Sequence, residues 1–359
     1  MKIIFYSVKI KDKIQETQDA VSLLFDIPKA LEEQFQYKPG QYITLKVIVN
    51  GIEEHRAYSI SSNPYSKEDL RITIKKVEEG LISNYLVNRI KAGDEIEIMP
   101  PLGHFIYEPK LGNVNNYILA AAGSGITPLF SILKSILTKE PQSKIYLFYQ
   151  NRFEDSIIFK DELENLQKKY SNQLKIYQFL SRETNSNSLK FTVGRLNSDD
   201  FVKIVKQNVE NYFENSEFYI CGPQHFMREI ETGIANLSIP KNRIHKESFT
   251  VGKDEEESQT TDSRVELIDR KVKIRIYGEE KEITVKADET ITTAAKNAGL
   301  QPPYSCQIGA CSTCRAKVVS GKVIMDEREA LTDEEIQQGY VLTCQTHPIS
   351  NDVFINFDD

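Results

Sequence analysis

The stretch PYSCQIGACSTC, residues 303–314, holds three of the five cysteines in a chain of 359 residues. Cys306, Cys311 and Cys314 are spaced C-x4-C-x2-C, and Cys344 follows after 29 intervening residues. The rest of the chain has one thiol, Cys221. The opening MKIIFYSVKIKDKI carries Lys2, Lys9, Lys11 and Lys13 and no continuous apolar core, so it does not read as a secretory signal. No stretch approaches the roughly 18 apolar residues of a membrane span. A cytoplasmic location is expected, where disulfides are rare and clustered thiols indicate metal or redox chemistry.

The spacing is that of a plant-type [2Fe–2S] ligand set. Two irons and two sulfides are highly charged and need four thiolates around them. A short loop supplies three if its backbone folds tightly, and Gly309 and Ala310 remove bulk where that folding occurs. YVLTCQTHP (340–348) supplies the fourth. The alternative is zinc on four cysteines, which favours paired C-x2-C hooks; here the second hook is missing. Flanking residues from 266 onward count 16 acidic against 11 basic, out of a net charge of −7 for the whole chain. That balance argues against nucleic acid as a partner and suits steering onto a basic protein face.

Working outward, residues 1–110 read as an antiparallel β-barrel. YITLKVIV (42–49) and LRITIKKV (70–77) alternate, turn signals KPGQ, NGIE and KAGDE break them, and LISNYLVNRI (81–90) has helical spacing. Residues 111–250 change pattern to a parallel α/β domain. Its strands are NYILAAAG (116–123), KIYLFYQ (144–150), KIYQFLS (175–181) and EFYICGP (217–223), with helices over 127–140 and 156–170. Residues 251–265 are polar and acidic and read as a linker. Residues 266–359 form an α+β domain: two strands around a Gly turn over 271–285, then a short helix ended by Gly299.

Three further segments bear on chemistry. RAYSI places Arg56, Ala57, Tyr58 and Ser59 together at 56–60. IKKVEEGLISNYL, 74–86, runs from Ile74 and Lys75 to a G-x-x-S, Gly80 to Ser83, at a helix start suited to an anion. AAGSGITP, 121–128, sits between a strand and a helix; Gly123 and Gly125 let the backbone approach a pyrophosphate, and Ser124, Ile126, Thr127 and Pro128 complete the binding loop. It is not G-x-G-x-x-G, because Pro128 takes the last place.

Together these resemble the ferredoxin–NADP reductase superfamily, and residues 266–359 resemble plant-type ferredoxins with β-grasp topology. The domain order resembles the reductase components of bacterial multicomponent oxygenases, those of phenylacetyl-CoA epoxygenases and ring-hydroxylating oxygenases among them. The resemblance implies that Arg56 neutralises a flavin phosphate, Tyr58 stacks on the isoalloxazine and Ser59 hydrogen-bonds near N5. It implies that Gly80–Ser83 holds the FAD pyrophosphate, favouring FAD over FMN. It places Cys221, Gly222 and Pro223 beside the nicotinamide, Glu247 near the flavin and Phe249 over its ring. Ser181 and Arg182 are implied as holders of a 2′-phosphate, favouring NADPH over NADH, although Glu183 adjoins them. The implied path runs NADPH, FAD, [2Fe–2S], oxygenase, with no membrane and no nucleic acid. Two alternatives remain at this point: an electron carrier or sensor without catalysis, and a stand-alone reductase of a haem protein or small acceptor.

Overall fold

The computed structural model describes residues 4–110, 112–183, 191–249, 267–328 and 330–359. The expected linker, 251–265, lies outside them, as does Glu266. The described residues form two compact units: one of 6–54 and 58–249, the other of 4–5, 55–57 and 267–359.

The N-terminal part of the larger unit holds β1 (Tyr6–Thr17), β2 (Ala20–Asp26), β3 (Tyr42–Val49), β4 (Ile52–Ser59), β5 (Leu70–Lys75), α1 (Leu81–Asn88) and β6 (Glu95–Ile98). These strands form a sheet in the order β4-β3-β6-β1-β2-β5, antiparallel in each pairing resolved. Its two edges meet where Ile60 bridges Ile72 and Ser61 N–H donates to the Arg71 carbonyl at 2.7 Å, so the sheet closes as a barrel. Closure removes exposed edges. The inward side chains, Ile10, Leu23, Ile43, Leu45, Ile72, Ile74 and Ile98 among them, are fully buried.

The central part holds β7 (Asn116–Ala122), α2 (Ile126–Lys139), β8 (Lys144–Asn151), α3 (Lys160–Lys169), β9 (Leu174–Leu180), β10 (Phe191–Val193), α4 (Ser198–Asn208), β11 (Ser216–Cys221), α5 (Gln224–Asn236) and β12 (Ile244–Glu247). All pairings in this sheet are parallel, in the order β10-β9-β8-β7-β11-β12. Helices α2 and α3 cover one face, and α4 and α5 the other. With both faces covered, β7 is buried along its whole length, which is why NYILAAA reads as a continuous apolar run.

The helix expected over 156–170 begins instead at Lys160. Phe159 leaves the helical region, with φ 61°, and its buried ring stacks on Phe130 at 4.2 Å and under Arg71 at 4.9 Å. Burying the aromatic outweighs the cost of the left-handed backbone. Polar groups also seam the barrel to the central sheet. Arg71 pairs bidentately with Glu162, Lys134 pairs with Glu68, Ser131 donates to the Ser62 carbonyl at 2.6 Å, and Asn63 reaches Thr138 at 2.9 Å. Glu140, buried, accepts from Tyr107, Tyr117, Ser143 and the Lys110 amide.

The smaller unit holds β13 (Arg270–Ile276), β14 (Glu279–Val285), α6 (Ile291–Asn297), β15 (Arg315–Ser320), β16 (Val323–Met325), α7 (Asp333–Gln337), β17 (Tyr340–Leu342), β18 (Thr346–Pro348) and β19 (Phe354–Asn356). Five strands make a mixed sheet, β14-β13-β19-β15-β17, and β16 pairs with β18. The β13–β14 hairpin turns on Tyr277 and Gly278, both at positive φ, the geometry that matches strand twist in a two-residue turn.

Gly40, in the KPGQ turn, sits at φ +96°, and a Cβ there would lie 2.0 Å from the Phe105 carbonyl oxygen. Gly40→Ala is expected to lower stability by about 2 kcal/mol or more, since strained backbone and overpacking combine. Urea denaturation against wild type measures it.

Candidate functional site

Strand order reverses at β7: β8, β9 and β10 build to one side, and β11 and β12 to the other. A crevice opens outside the carboxyl ends of strands at such a point. Gly123, at φ 56°, Ser124 and Gly125 turn the chain from β7 into α2. A Cβ on Gly125 would fall 2.1 Å from the Cys221 carbonyl oxygen and 2.9 Å from the Gly222 amide, so nothing larger than glycine fits. Gly222 is confined less severely, by Phe226 and Ala122 side chains at 3.0 and 3.1 Å. Tyr149 donates to the Gly123 carbonyl at 3.2 Å and Thr127 to the Ser124 carbonyl at 2.9 Å, fixing the loop. The first amides of the 14-residue α2 face this turn. Pro128, buried in the first turn, has no N–H to leave unpaired there.

Cys221 ends β11, fully buried, and pairs in register with Glu247 of β12. Ser59, at the end of β4, donates to the Glu247 carboxylate at 3.4 Å. Ser59, Cys221 and Glu247 therefore gather at one place, on strand ends far apart in sequence. Pro223 opens α5, and half-buried Phe249 packs on the central core two residues past Glu247.

On β4, Arg56 and Tyr58 share one face by strand alternation. Arg56 Nη1 donates to the His55 carbonyl at 2.7 Å, Ala57 is half-buried, and Tyr58 packs on the barrel core. Ile74 is core, and Lys75 lies 3.5 Å from Asp19. Gly80 caps α1. The Ser83 hydroxyl accepts from the Val77 amide at 3.0 Å and donates to the Gly80 carbonyl at 3.4 Å, so it shapes the loop from within.

Ser181 and Arg182 follow β9, their amides bonded to the Asn151 and Arg152 carbonyls at 2.9 and 3.0 Å. Arg182 is exposed; Ser181 and Glu183 are half-buried. Two arginines not singled out in the sequence stand beside them in the fold: Arg152, one residue past β8, and Arg195, two past β10, both exposed. For Arg152 a signal was available, since it closely follows the expected strand 144–150; Arg195 follows β10, a strand that the sequence reading does not contain.

The four remaining cysteines converge. Cys314 and Cys344 sulfurs are 3.2 Å apart, and the Cys306 amide donates to the Cys311 sulfur at 3.5 Å. Thr343 donates to the Cys314 carbonyl at 2.8 Å and is itself bonded to Thr292, tying the fourth cysteine's segment to the loop. Gly309, at φ +74°, leaves room for Glu327, whose Cγ would meet a Cβ at 2.8 Å. The hydrogen bond with Cys306, then burial, holds the Cys311 thiol well above its ordinary range. Cys306 is pushed up to about 11: its bond with Cys311 lowers it, and the bond with Cys344 and burial outweigh that. Thiols this crowded ionise together only around strong positive charge, which suits the donor set of a [2Fe–2S] cluster. No three His, Cys, Asp or Glu among the described residues are set around a single metal ion.

Three family models match in the same order: an oxidoreductase FAD-binding domain over residues 7–107, an oxidoreductase NAD-binding domain over 119–232, and a 2Fe-2S iron-sulfur cluster binding domain over 274–348. The chain is thus an oxidoreductase with flavin-, nicotinamide- and cluster-binding parts. It is 36% identical over 356 residues to the E component of the 1,2-phenylacetyl-CoA epoxidase of Escherichia coli, covering 99% of this chain and 98% of that one. It is 32% identical over 352 residues to the ferredoxin reductase component of the 3-ketosteroid-9-alpha-monooxygenase of Rhodococcus rhodochrous, covering 96% and 94%. A phthalate dioxygenase reductase structure shares the fold, with TM-score 0.62 and 22% identity over 98% of both chains. The chain belongs to the family of reductase components of multicomponent oxygenases. No helix among the described residues is long and apolar enough to cross a membrane.

Gly125→Ala is expected to slow flavin reduction by reduced nicotinamide about a hundredfold, because displacing the Cys221 turn by an ångström misaligns the transfer. FAD content should stay at the wild-type level. Stopped-flow bleaching of the flavin band reads the rate.

Proposed function

We propose that this chain oxidises NADPH and delivers single electrons to an oxygenase of the phenylacetyl-CoA epoxidase type, in the cytoplasm. Residues 1–110 serve as the flavin part, 111–250 as the nicotinamide part, 251–265 as a linker and 266–359 as the ferredoxin part. The observation that carries the reading is the meeting of Ser59 and Glu247, at 3.4 Å, in register with buried Cys221.

When bound, FAD supplies a two-electron hydride acceptor and the [2Fe–2S] cluster a one-electron outlet. The chain's residues bind and orient. Arg56 neutralises flavin phosphate, Tyr58 offers its ring to the isoalloxazine, and the half-buried Phe249 screens it from water. Ser59 gives its hydroxyl proton to a hydrogen bond with Glu247 and is thereby held in one rotamer. The Gly123–Thr127 loop receives the nicotinamide dinucleotide's pyrophosphate, the Ile126 amide holding the turn by its bonds to the Gly123 and Ser124 carbonyls, and Cys221, Gly222 and Pro223 wall its nicotinamide end. No acid–base pair is required, since hydride carries its own electrons.

NADPH is favoured over NADH by the exposed arginines at the ends of three adjacent strands, Arg152, Arg182 and Arg195. Such a group suits a phosphate dianion. Ser181 adds a hydroxyl and Glu183 opposes the group with one negative charge. FAD is favoured over FMN by the family model that matches residues 7–107. The oxygenase type rests on the 36% identity to the epoxidase component.

Arg182→Ala is expected to raise KM for NADPH about tenfold, the loss of one charge-assisted hydrogen bond. KM for NADH should change little; equal changes would remove the 2′-phosphate contact. Cys311→Ser is expected to leave anaerobic flavin bleaching by NADPH intact and to abolish turnover of phenylacetyl-CoA in a mixture with the epoxidase's oxygenase components. Iron and sulfide content should fall with it. Turnover that survives loss of the cluster would refute the proposed exit route.

A further inference from the structure

We propose that Asn151 binds the adenosine ribose of the dinucleotide, its side-chain carbonyl accepting from the 3′-hydroxyl that NADPH and NADH share. The inference rests on the reading of the central sheet's carboxyl edge as the nucleotide site, and adds to it a residue outside every motif above.

Asn151 is the last residue of β8 and is 5% exposed. Its Oδ1 is buried and has no hydrogen-bond partner among the described residues. Buried side-chain oxygens are almost always paired, so one left unpaired at the carboxyl end of β8 marks a place for a ligand donor. Tyr149, two residues earlier and therefore on the same face of the strand, donates to the Gly123 carbonyl. That face of β8 is turned toward the pyrophosphate loop. The Asn151 main-chain carbonyl accepts from the Ser181 amide at 2.9 Å, so the residue also borders the loop that carries Arg182.

The order of groups supports the assignment. Across the sheet from β12 the strands run β11, β7, β8, β9. Their carboxyl ends present, in turn, Glu247, Cys221, the Gly123–Thr127 loop, Asn151 and Arg182. Along NADPH the groups run nicotinamide, pyrophosphate, adenosine ribose, 2′-phosphate. The hydrogen-bond acceptor falls opposite the ribose, one strand beyond the pyrophosphate loop, and neighbouring strands are separated by about 4.8 Å, comparable with the reach from a phosphate to its sugar hydroxyls. With its 2′ position phosphorylated, NADPH has only the 3′-hydroxyl left to donate there.

Isothermal titration of the flavin-loaded chain with ADP and with 3′-deoxy-ADP tests this. Wild type is expected to bind ADP about tenfold more tightly, the weight of one hydrogen bond to a buried acceptor. Asn151→Ala is expected to bind the two nucleotides alike, at the weaker value. Wild type binding both alike overturns the inference, and needs no variant to fold. If NADPH still bleaches the flavin in that case, the nucleotide-site reading stands without it. Failure of wild type to bind ADP, together with no bleaching by NADPH, removes the site and this contact with it.

Discussion

The larger unit depends on one close approach of backbone to backbone. Gly125 lies so near the Cys221 carbonyl that no side chain is admitted, and Gly222 is locked in from the other side by Phe226 and Ala122. Two parallel strands, β7 and β11, run side by side to this contact, and both βα turns open there. The amides of one turn and the thiol of the other are thereby brought within the span of a single dinucleotide. A larger residue at Gly125 would push the turns apart and widen the crevice. Glu247 enters by the same route, since the parallel register of β12 on β11 puts it opposite Cys221.

The C-terminal unit solves a different problem with similar economy of bulk. Cys306, Cys311 and Cys344 are packed so closely with one another and with Cys314 that their thiols resist ionisation, and the positive charge of bound iron would favour their thiolate forms. Gly309 turns the loop through a left-handed conformation, and Thr343 ties the distant Cys344 segment to the Cys314 carbonyl. The loop is thus held by the sheet behind it as well as by the ligands themselves.

Much of this is legible in residue order. The cysteine spacing, the Gly-rich turn after an apolar run and the alternation of strands are local patterns, and local patterns survive in a linear text. Ser59, Cys221 and Glu247 follow from family resemblance; what the chain order does not express is that strand register sets Cys221 against Glu247 and a hydrogen bond from the barrel brings Ser59 to them. Asn151 and Arg152, at the end of β8, and Arg195, after β10, escape such a reading because none belongs to a motif, and only the parallel sheet sets the two strand ends on either side of β9. The helix starts at Lys160 rather than four residues earlier because Phe159 gives up helical backbone to bury its ring against Phe130, a tertiary preference that periodicity does not carry. The Ser83 hydroxyl is occupied by its own loop, a partner that the G-x-x-S pattern does not reveal.

The polar seam between barrel and central sheet has a further consequence. Arg71 and Lys134 are nearly excluded from water, each facing a carboxylate across the joint, and Lys134 is lowered to about 8 by burial and the neighbouring Arg71 charge despite Glu68. Removing either partner would strand a charge in a poorly solvated place, at far greater cost than losing a surface ion pair. The two halves that grip flavin and nicotinamide are therefore fused into a single melting body. A hinge that would open and shut between them with each turnover is ill suited to such a joint.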